Sequence, residues 1–393
     1  MPDTEISEFL FPSQLVRSTG SSGRVGQLLH ARGVARGAVF VVADRVVHEN
    51  GLTSALLEGL SEAGYEPRLF AEIAGEPSLD IVEKAAAMAN EAHAVAFIGF
   101  GGGSALDTAK LATYHVASGT SMQGLRGPIP AVPDFGPLVL VPTTVGTGAE
   151  ATRVAMFSVD GAKRAVLSPQ FVPSIAVLDG NLVSKLPAEV VAATALDALS
   201  HAIESMMSTT SNELTWSLAG EAAQRIFARL PAAYGGDVSA RSELLYASFL
   251  AGASLNAGVV LGHSMSYVLA SRHHLAHGVG CALALPFCLA YNQRMPAREG
   301  EALAAAVLKK PNVTLRDLAD AVHDLTRVVG LPTDLAKYGT AEHEVQALAD
   351  SLIRDYPRPT NPVPLDSARL ARLFSHLRTG DLSGAWTAMG DLS

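Results

Sequence analysis

The chain has 393 residues, 48% hydrophobic and 17% charged, with 29 basic against 38 acidic side chains and a net charge of −9. That length exceeds one typical core, so two domains are expected, and the composition excludes a disordered or fibrous protein and argues against a nucleic-acid-binding surface. Two cysteines, Cys281 and Cys288, without a C-x-x-C motif, read as buried thiols rather than a disulfide.

The first eight residues are acidic and lack the basic-then-apolar layout of a signal peptide, so a cytoplasmic location is expected. Residues 38–43 form a continuous apolar run rich in Val, the pattern of a strand buried on both faces. A helical pattern at 52–62, a strand at 68–71, a helix at 78–92 capped by Ser78, a strand at 94–98 and a helix at 104–118 follow. This alternation predicts a parallel sheet with helices on both faces.

Residues 119–136 break the rhythm with Gly and Pro and read as a long loop. Strand-like runs resume at 138–141, 153–158, 164–167 and 175–178. From Pro187 onward helical patterns dominate, at 187–206, 211–233, 239–255, 258–271, 314–328, 341–354 and 366–378. The most membrane-like stretch, 248–270, contains Asn256 and His263 and reads as packed helix, not a span. The shift near residues 184–186 divides the chain into an α/β domain, 1–185, and an all-helical domain, 186–393. No internal repeat is present.

Four stretches carry chemistry. Gly99-Phe-Gly101-Gly102-Gly103-Ser104-Ala-Leu-Asp107-Thr-Ala-Lys110 lies between a strand and a helix, where backbone N–H groups and the positive helix end can receive a phosphate. It is not a full G-x-G-x-x-G, because Ser104 replaces the final glycine; a tight turn, with Asp107 and Lys110 as a surface pair, is the bland alternative. Pro142-Thr143-Thr144-Val-Gly-Thr147-Gly-Ala-Glu150 also follows an apolar strand, at the edge where α/β sheets bind ligands. Asp44, ending the first run, suits an adenosine ribose and so favours NAD; Arg45 beside it leaves NADP open, and a turn-initiating Asp is the alternative. The fourth stretch is Asp197-Ala-Leu-Ser-His201-Ala-Ile-Glu204. On a helix Asp197 and His201 share one face, half of a divalent-metal site whose other half is expected at His263 and His277. Seven of the twelve histidines (His30, His48, His93, His115, His323, His343 and His376) need no function, but His263, His273, His274 and His277 crowd into one segment.

Taken together these motifs resemble the iron-containing (group III) alcohol dehydrogenases over roughly residues 8–300. Residues 101–110 look like that family's GGGSxxDxAK loop, 142–150 like its PTTxGTGxE loop, and 197–204 like its DxxxHAIE helix. Lys163 with Ser168-Pro169, Pro173 and Asp179 is similar to its Lys…SPxxxPxxxxxD stretch. The resemblance implies a Rossmann-like N-terminal domain, an all-helical C-terminal domain and a cleft between them. By the same resemblance Asp197, His201, His263 and His277 take the metal-ligand positions. Gly101, Gly102, Gly103, Ser104, Asp107, Thr143, Thr144, Thr147, Lys163 and Asp44 take cofactor-contacting ones. Tyr267 stands where the family carries a second histidine of HxxxH; a phenol with an ordinary pKa of about 10 is a poorer base, so His273 or His274 is a further candidate for proton relay.

The expected activity is hydride transfer between NAD(H) or NADP(H) and a small alcohol or aldehyde, with Fe²⁺ or Zn²⁺ as Lewis acid. Arg272, His273 and Tyr267 keep open a reductase of small anionic aldehydes or oxo acids, of the phosphono-, sulfo- or maleylacetate-like kind. A lyase of the dehydroquinate synthase type that uses NAD transiently, and a binding protein without turnover, are the readings from other classes. A homo-oligomer, a dimer in the first instance, is the expected assembly, with neither nucleic acid nor membrane as partner.

Overall fold

Among the described residues nine strands occur in chain order: β1 (Leu15–Arg17), β2 (Ala38–Asp44), β3 (Glu66–Ile73), β4 (Ala96–Gly101), β5 (Gly127–Pro128), β6 (Leu138–Pro142), β7 (Val154–Val159), β8 (Ala162–Leu167) and β9 (Ile175–Leu178). They are seen in a computed structural model that describes residues 8–159 and 162–391. The described residues form two compact units, the first ending at Lys185 and the second starting at Leu186.

The first unit is built on a six-stranded sheet in the order β1-β9-β6-β4-β2-β3, with every neighbouring pair parallel. Its strands alternate between two cores. Val39, Val41, Ile98, Phe100, Val139 and Val141 face one side, and Phe40, Val42, Phe97, Leu138 and Leu140 the other. The first side is covered by Val25, Leu29, Leu56 and Leu60, the second by Ala85, Ala86 and Ala89 and by Ala105, Leu106 and Ala109 of the Gly103–Ser118 helix. Each large side chain so enclosed contributes about 1.5–3 kcal/mol, which is why these apolar runs need no polar alternation.

The chain passes from β2 outward to β3 and then returns to place β4 on the other side of β2. That reversal brings the carboxyl ends of β2 and β4 side by side, the place where open α/β sheets accept ligands. Asp44 and Gly101 end those two strands.

The runs at 153–158 and 164–167 leave the main sheet. They pair antiparallel as β7 and β8, with β5 parallel to β8, in a separate three-stranded sheet. A buried ionic group ties this sheet to the Gly103–Ser118 helix. Lys110 is wholly enclosed and donates to the Thr152 and Val154 carbonyls, at 3.2 and 2.7 Å, and lies 3.5 Å from Asp107. Asp107 accepts from the Met156 N–H at 3.0 Å. The Asp107–Lys110 pair is therefore an interior clamp and not a surface pair.

Glu150 is buried beside this clamp, and burial pushes its pKa up to about 7, against a smaller lowering by its own backbone N–H and by Lys110. The folded state thus holds a proton that the unfolded chain, at 4.5, has released. Its contribution to stability is complete below pH 4.5 and is lost as pH rises through 7. Denaturant unfolding at pH 5 and pH 7.5 is expected to show Glu150→Gln abolishing a decline on the order of 2–3 kcal/mol present in the parent protein.

The second unit is helical. Its α-helices are Ala188–Met207, Glu213–Tyr234, Val238–Ser254, Leu261–His273, His277–Tyr291, Ala297–Leu308, Leu315–Val328, Val345–Asp355, Ser367–Thr379 and Leu382–Gly390. Several start where side chains satisfy the free N–H groups: Asn212 and Thr314 form reciprocal caps with Thr215 and Asp317, and Asp237 and Asp366 cap their helices singly. The His277–Tyr291 helix is buried from Gly280 to Tyr291. A helix enclosed on all sides has no amphipathic period, and with Pro286 inside it the stretch does not announce itself in sequence.

The segment 248–270 is two helical pieces bent by 106° at a break that includes Gly258 at φ +72°. No single helix among the described residues is long and apolar enough to cross a membrane.

Candidate functional site

In the first unit the two glycine- and threonine-bearing loops meet beside Asp44. The Gly102 N–H donates to Asp44 Oδ2 at 2.6 Å, and the Thr143 N–H to the Gly101 carbonyl at 2.9 Å. Burial raises the Asp44 carboxyl above its ordinary range, partly offset by that hydrogen bond. Gly103 opens its helix with Gly102 as cap residue, so the free N–H groups of the first turn are those of Gly103 and Ser104, while the Ala105 N–H donates to the Gly102 carbonyl at 3.1 Å. Thr144 and Thr147 line the same spot: a Cβ at Gly102 would lie 3.5 Å from Thr144 Cγ2, and one at Gly103 would lie 2.9 Å from Thr147 Cγ2.

Gly101 is the residue on which this geometry turns. Its φ is +154°, and a Cβ there would sit 2.4 Å from Asp44 Oδ2 and 2.8 Å from Ala105 Cβ. Gly101→Ala is expected to cost about 2–3 kcal/mol and to weaken dinucleotide binding at least tenfold, by misplacing Asp44 and the helix start together. Urea unfolding and a NAD⁺ titration check both effects.

The structure gives two other residues of this set interior or lateral partners. Asp107 faces Lys110 and Met156, as above. Lys163 on β8 is 3.3 Å from Glu76 and one-third exposed.

In the second unit the Ala188–Met207 helix carries Asp197, His201 and Glu204 on one buried face. Asp197 Oδ1 lies 3.8 Å from His201 Nε2, 3.6 Å from His263 Nε2 and 3.4 Å from His277 Nε2. The His201 and His263 rings stack at 4.6 Å. The donor atoms of Asp197, His263, His277 and Cys281 all lie within 4.8 Å of one another.

Neighbouring groups fix how the histidines present their nitrogens. His263 Nδ1 is 2.7 Å from Glu204 Oε1, and the other Glu204 oxygen accepts from the Val260 and His263 N–H groups at 2.9 and 3.2 Å. A carboxylate can only accept, so Nδ1 carries the proton and Nε2 presents a lone pair. Ser266 donates its hydroxyl proton to the His277 carbonyl at 2.9 Å, so at 3.2 Å its oxygen accepts from His277 Nδ1. His277 Nε2 then also presents a lone pair toward Asp197.

Two lone pairs and a carboxylate oxygen facing one another in a buried space repel unless a cation or a proton joins them. Asp197 Oδ1 and His263 Nε2 are enclosed and make no hydrogen bond. Two donors, each about 2.0–2.1 Å from one tetrahedral ion, would be about 3.3–3.4 Å apart, close to the separations found. The residues therefore fit a divalent metal. Burial opposes charge on Asp197, but His201, His277 and His263 together hold its carboxyl well below the usual range. Burial likewise opposes a charged His263, yet Cys281, Glu204 and Asp197 raise its pKa.

Glu204 acts through His263, and Glu204→Gln is expected to lower divalent-metal affinity about 10–100-fold while leaving the helices intact. Competition with a chromophoric chelator, alongside circular dichroism, measures this.

Tyr267 stands at the cluster, its ring stacked on His277 at 5.3 Å and edge-on to His263 at 6.2 Å. His273 is six residues further along the same helix, roughly 9 Å of rise. There its Nε2 is 2.9 Å from Thr340 Oγ1, and His274 caps the helix end, exposed and left-handed at φ +54°. Arg272 is more than half exposed and pairs with Glu344, so it is a solvated helix end.

Three partners escape sequence reasoning. Glu204 was visible in its motif, three residues past His201 on the same face, but its hydrogen bond to His263 depends on helix packing. Cys281 is four residues past His277 and becomes legible only once that stretch is known to be helical. Arg358, whose guanidinium lies 5.8 Å over the Tyr267 ring, comes from a loop with no local signal.

Comparison with known proteins bears on both units. Residues 12–180 match the family described as iron-containing alcohol dehydrogenase, and 191–377 the C-terminal part of the Fe-containing alcohol dehydrogenase family. The chain is 32% identical over 375 residues to the probable alcohol dehydrogenase EutG of Escherichia coli, covering 94% of each. It is 32% identical over 327 residues to the sulfoacetaldehyde reductase of Bilophila wadsworthia, covering 79% of this chain and 84% of that one. Among solved structures, the sulfoacetaldehyde reductase of Bifidobacterium kashiwanohense in complex with NAD⁺ superposes with a TM-score of 0.88 at 25% identity, over 95% of this chain and 99% of that one.

Proposed function

The chain belongs to the iron-containing alcohol dehydrogenase family and is an oxidoreductase of it, and from that premise we propose that it moves hydride between NAD(H) and a small alcohol or aldehyde at a divalent-metal centre. The observation that carries this reading is the convergence of Asp197, His263 and His277 at 3.4–3.6 Å with their lone pairs turned inward. Asp197, His201, His263 and His277 would hold the metal, Fe²⁺ or Zn²⁺. When bound, the ion supplies Lewis-acid polarisation of a substrate oxygen, and the nicotinamide cofactor supplies the hydride exchange.

This chain's own residues do the rest. Glu204 and Ser266 hold His263 and His277 in the tautomer that offers Nε2. Gly101, Gly102, Gly103 and Ser104 let a pyrophosphate approach the start of the Gly103–Ser118 helix without meeting a bulky side chain. Thr143, Thr144 and Thr147 offer hydroxyl or backbone donors beside it. Asp44, its Oδ2 held by Gly102, is placed to accept from a ribose and to repel a 2′-phosphate, which favours NAD. Tyr267, stacked on His277, is the side chain best placed to donate a hydrogen bond or pass a proton to a substrate oxygen. The two free, buried cysteines suit a reducing, cytoplasmic setting.

A second reading, reduction of a small anionic aldehyde, is favoured by Arg358. Its Nε is buried without a hydrogen bond, and its guanidinium lies over Tyr267. Arg272, given to Glu344, is a weaker candidate for that task.

The test is a matched substrate panel, acetaldehyde against sulfoacetaldehyde and ethanol-to-butanol alcohols, with both cofactors and with Arg358→Met. Higher kcat/KM for neutral substrates, unchanged by the substitution, supports the first reading. Higher kcat/KM for the sulfonate, lost with Arg358→Met, supports the second. Turnover of neither class, with the metal bound, contradicts both.

A further inference from the structure

The metal reading leaves Cys281 unexplained. This residue sits four positions after His277, so the two side chains share a face of the His277–Tyr291 helix. Its thiol is 1% exposed. Close backbone packing drives it inward: a Cβ at Gly278 would lie 2.2 Å from the Ala193 carbonyl oxygen, and one at Gly280 would lie 2.5 Å from Ser266 Oγ. The helix is thereby pressed against the two helices that carry Asp197 and His263.

Cys281 Sγ is 3.7 Å from His277 Nε2, inside the group whose donor atoms all fall within 4.8 Å. A nitrogen at about 2.0–2.1 Å and a sulfur at about 2.3 Å from one tetrahedral ion are about 3.5–3.6 Å apart. The spacing is thus that of two ligands sharing an ion. A simple S–H donor to His277 is the competing use of the same contact. That use needs the Nε2 lone pair, which the metal reading already assigns elsewhere. Two enclosed atoms of the group, Asp197 Oδ1 and His263 Nε2, have no hydrogen-bond partner and point to a ligand at the same place.

Resting on the metal reading above, we propose that the Cys281 sulfur is a direct ligand of the ion bound by Asp197, His263 and His277. Coordination makes the sulfur a thiolate, so the ion carries two anionic donors instead of one. A soft donor shifts preference toward Zn²⁺ and Co²⁺ over Fe²⁺, and the second negative charge weakens Lewis acidity. His201, 3.8 Å from Asp197 through Nε2, is a further donor on the Asp197 helix, and the sulfur then competes with it and with a substrate oxygen for coordination positions.

The experiment uses full-length protein stripped with chelator and reloaded with Co²⁺, read by absorption spectroscopy and metal analysis. The expected result is one Co²⁺ per chain, visible ligand-field bands, and an intense near-ultraviolet sulfur-to-cobalt charge-transfer band. Cys281→Ser and Cys281→Ala should keep the cobalt and its visible bands and lose the near-ultraviolet band. Cys288→Ala should retain the band. In competition between equal Fe²⁺ and Zn²⁺ without oxygen, Cys281→Ser should bind iron at least about tenfold better relative to zinc than the parent does. Cobalt bound with visible bands but no charge-transfer band overturns the sulfur ligand and leaves the metal centre standing. A band that survives both Cys281 substitutions overturns it equally. Failure to bind cobalt at all removes the metal reading and this inference with it.

Discussion

Asp197→Ala is expected to strip the purified protein of divalent metal and to lower turnover by about 10³-fold or more. The expected magnitude follows from the several kcal/mol that a Lewis acid contributes to such a step. Asp197 Oδ1 lies 3.4, 3.6 and 3.8 Å from the Nε2 atoms of His277, His263 and His201. Removing Asp197 takes away the negative charge that offsets an ion's desolvation and leaves three neutral imidazoles as the remaining donors of that set. His263→Ala should lose metal as well, because it deletes a donor whose tautomer Glu204 has already set. Metal analysis and NADH absorbance measure the two effects separately, and circular dichroism checks that the helices persist. Full metal occupancy in Asp197→Ala protein would remove that residue from the ligand set.

Lys110→Met carries the largest expected cost to stability, about 3–5 kcal/mol. The ammonium group is fully enclosed and serves Asp107, the Thr152 carbonyl and hydroxyl, and the Val154 carbonyl. Burial lowers its pKa, and Asp107 counters that. A methionine fills the space but leaves Asp107 a buried acid without its cationic partner and takes one donor from each of the two carbonyls. Adding Asp107→Asn in the same chain should recover part of the loss, because it removes the unpaired charge. Urea unfolding of the single and double variants measures the difference. Equal stability of Lys110→Met and the parent would show that the clamp contributes nothing.

The strand at 38–43 was legible because double burial selects an uninterrupted apolar run, and Asp197 with His201 because helical spacing puts them on one face. The glycine and threonine loops were legible because each follows such a run at the ligand-binding edge of a parallel sheet. What stayed hidden depended on contacts between distant segments. The 153–158 and 164–167 runs look like any strand, and nothing local assigns them to a second, antiparallel pairing. Asp107 and Lys110 left a cofactor contact and a surface pair both open because the partners that bury them begin at Thr152. Arg272 looked available for an anion because Glu344, its partner, is 72 residues away. The strand at Leu15–Arg17 and the helix at Val25–Ala31 are too short to show a period.

The central claim is that hydride transfer depends on one divalent ion held by Asp197 and its histidines. The most direct measurement is an anaerobic titration of chelator-stripped protein with Zn²⁺ or Fe²⁺, following NADH formation from a short alcohol while bound metal is assayed in parallel. The expected result is no turnover at the start, then a linear rise to a plateau at one ion per chain, with no rise in the Asp197→Ala protein. Full turnover by stripped protein, unchanged as metal is added back, would contradict it.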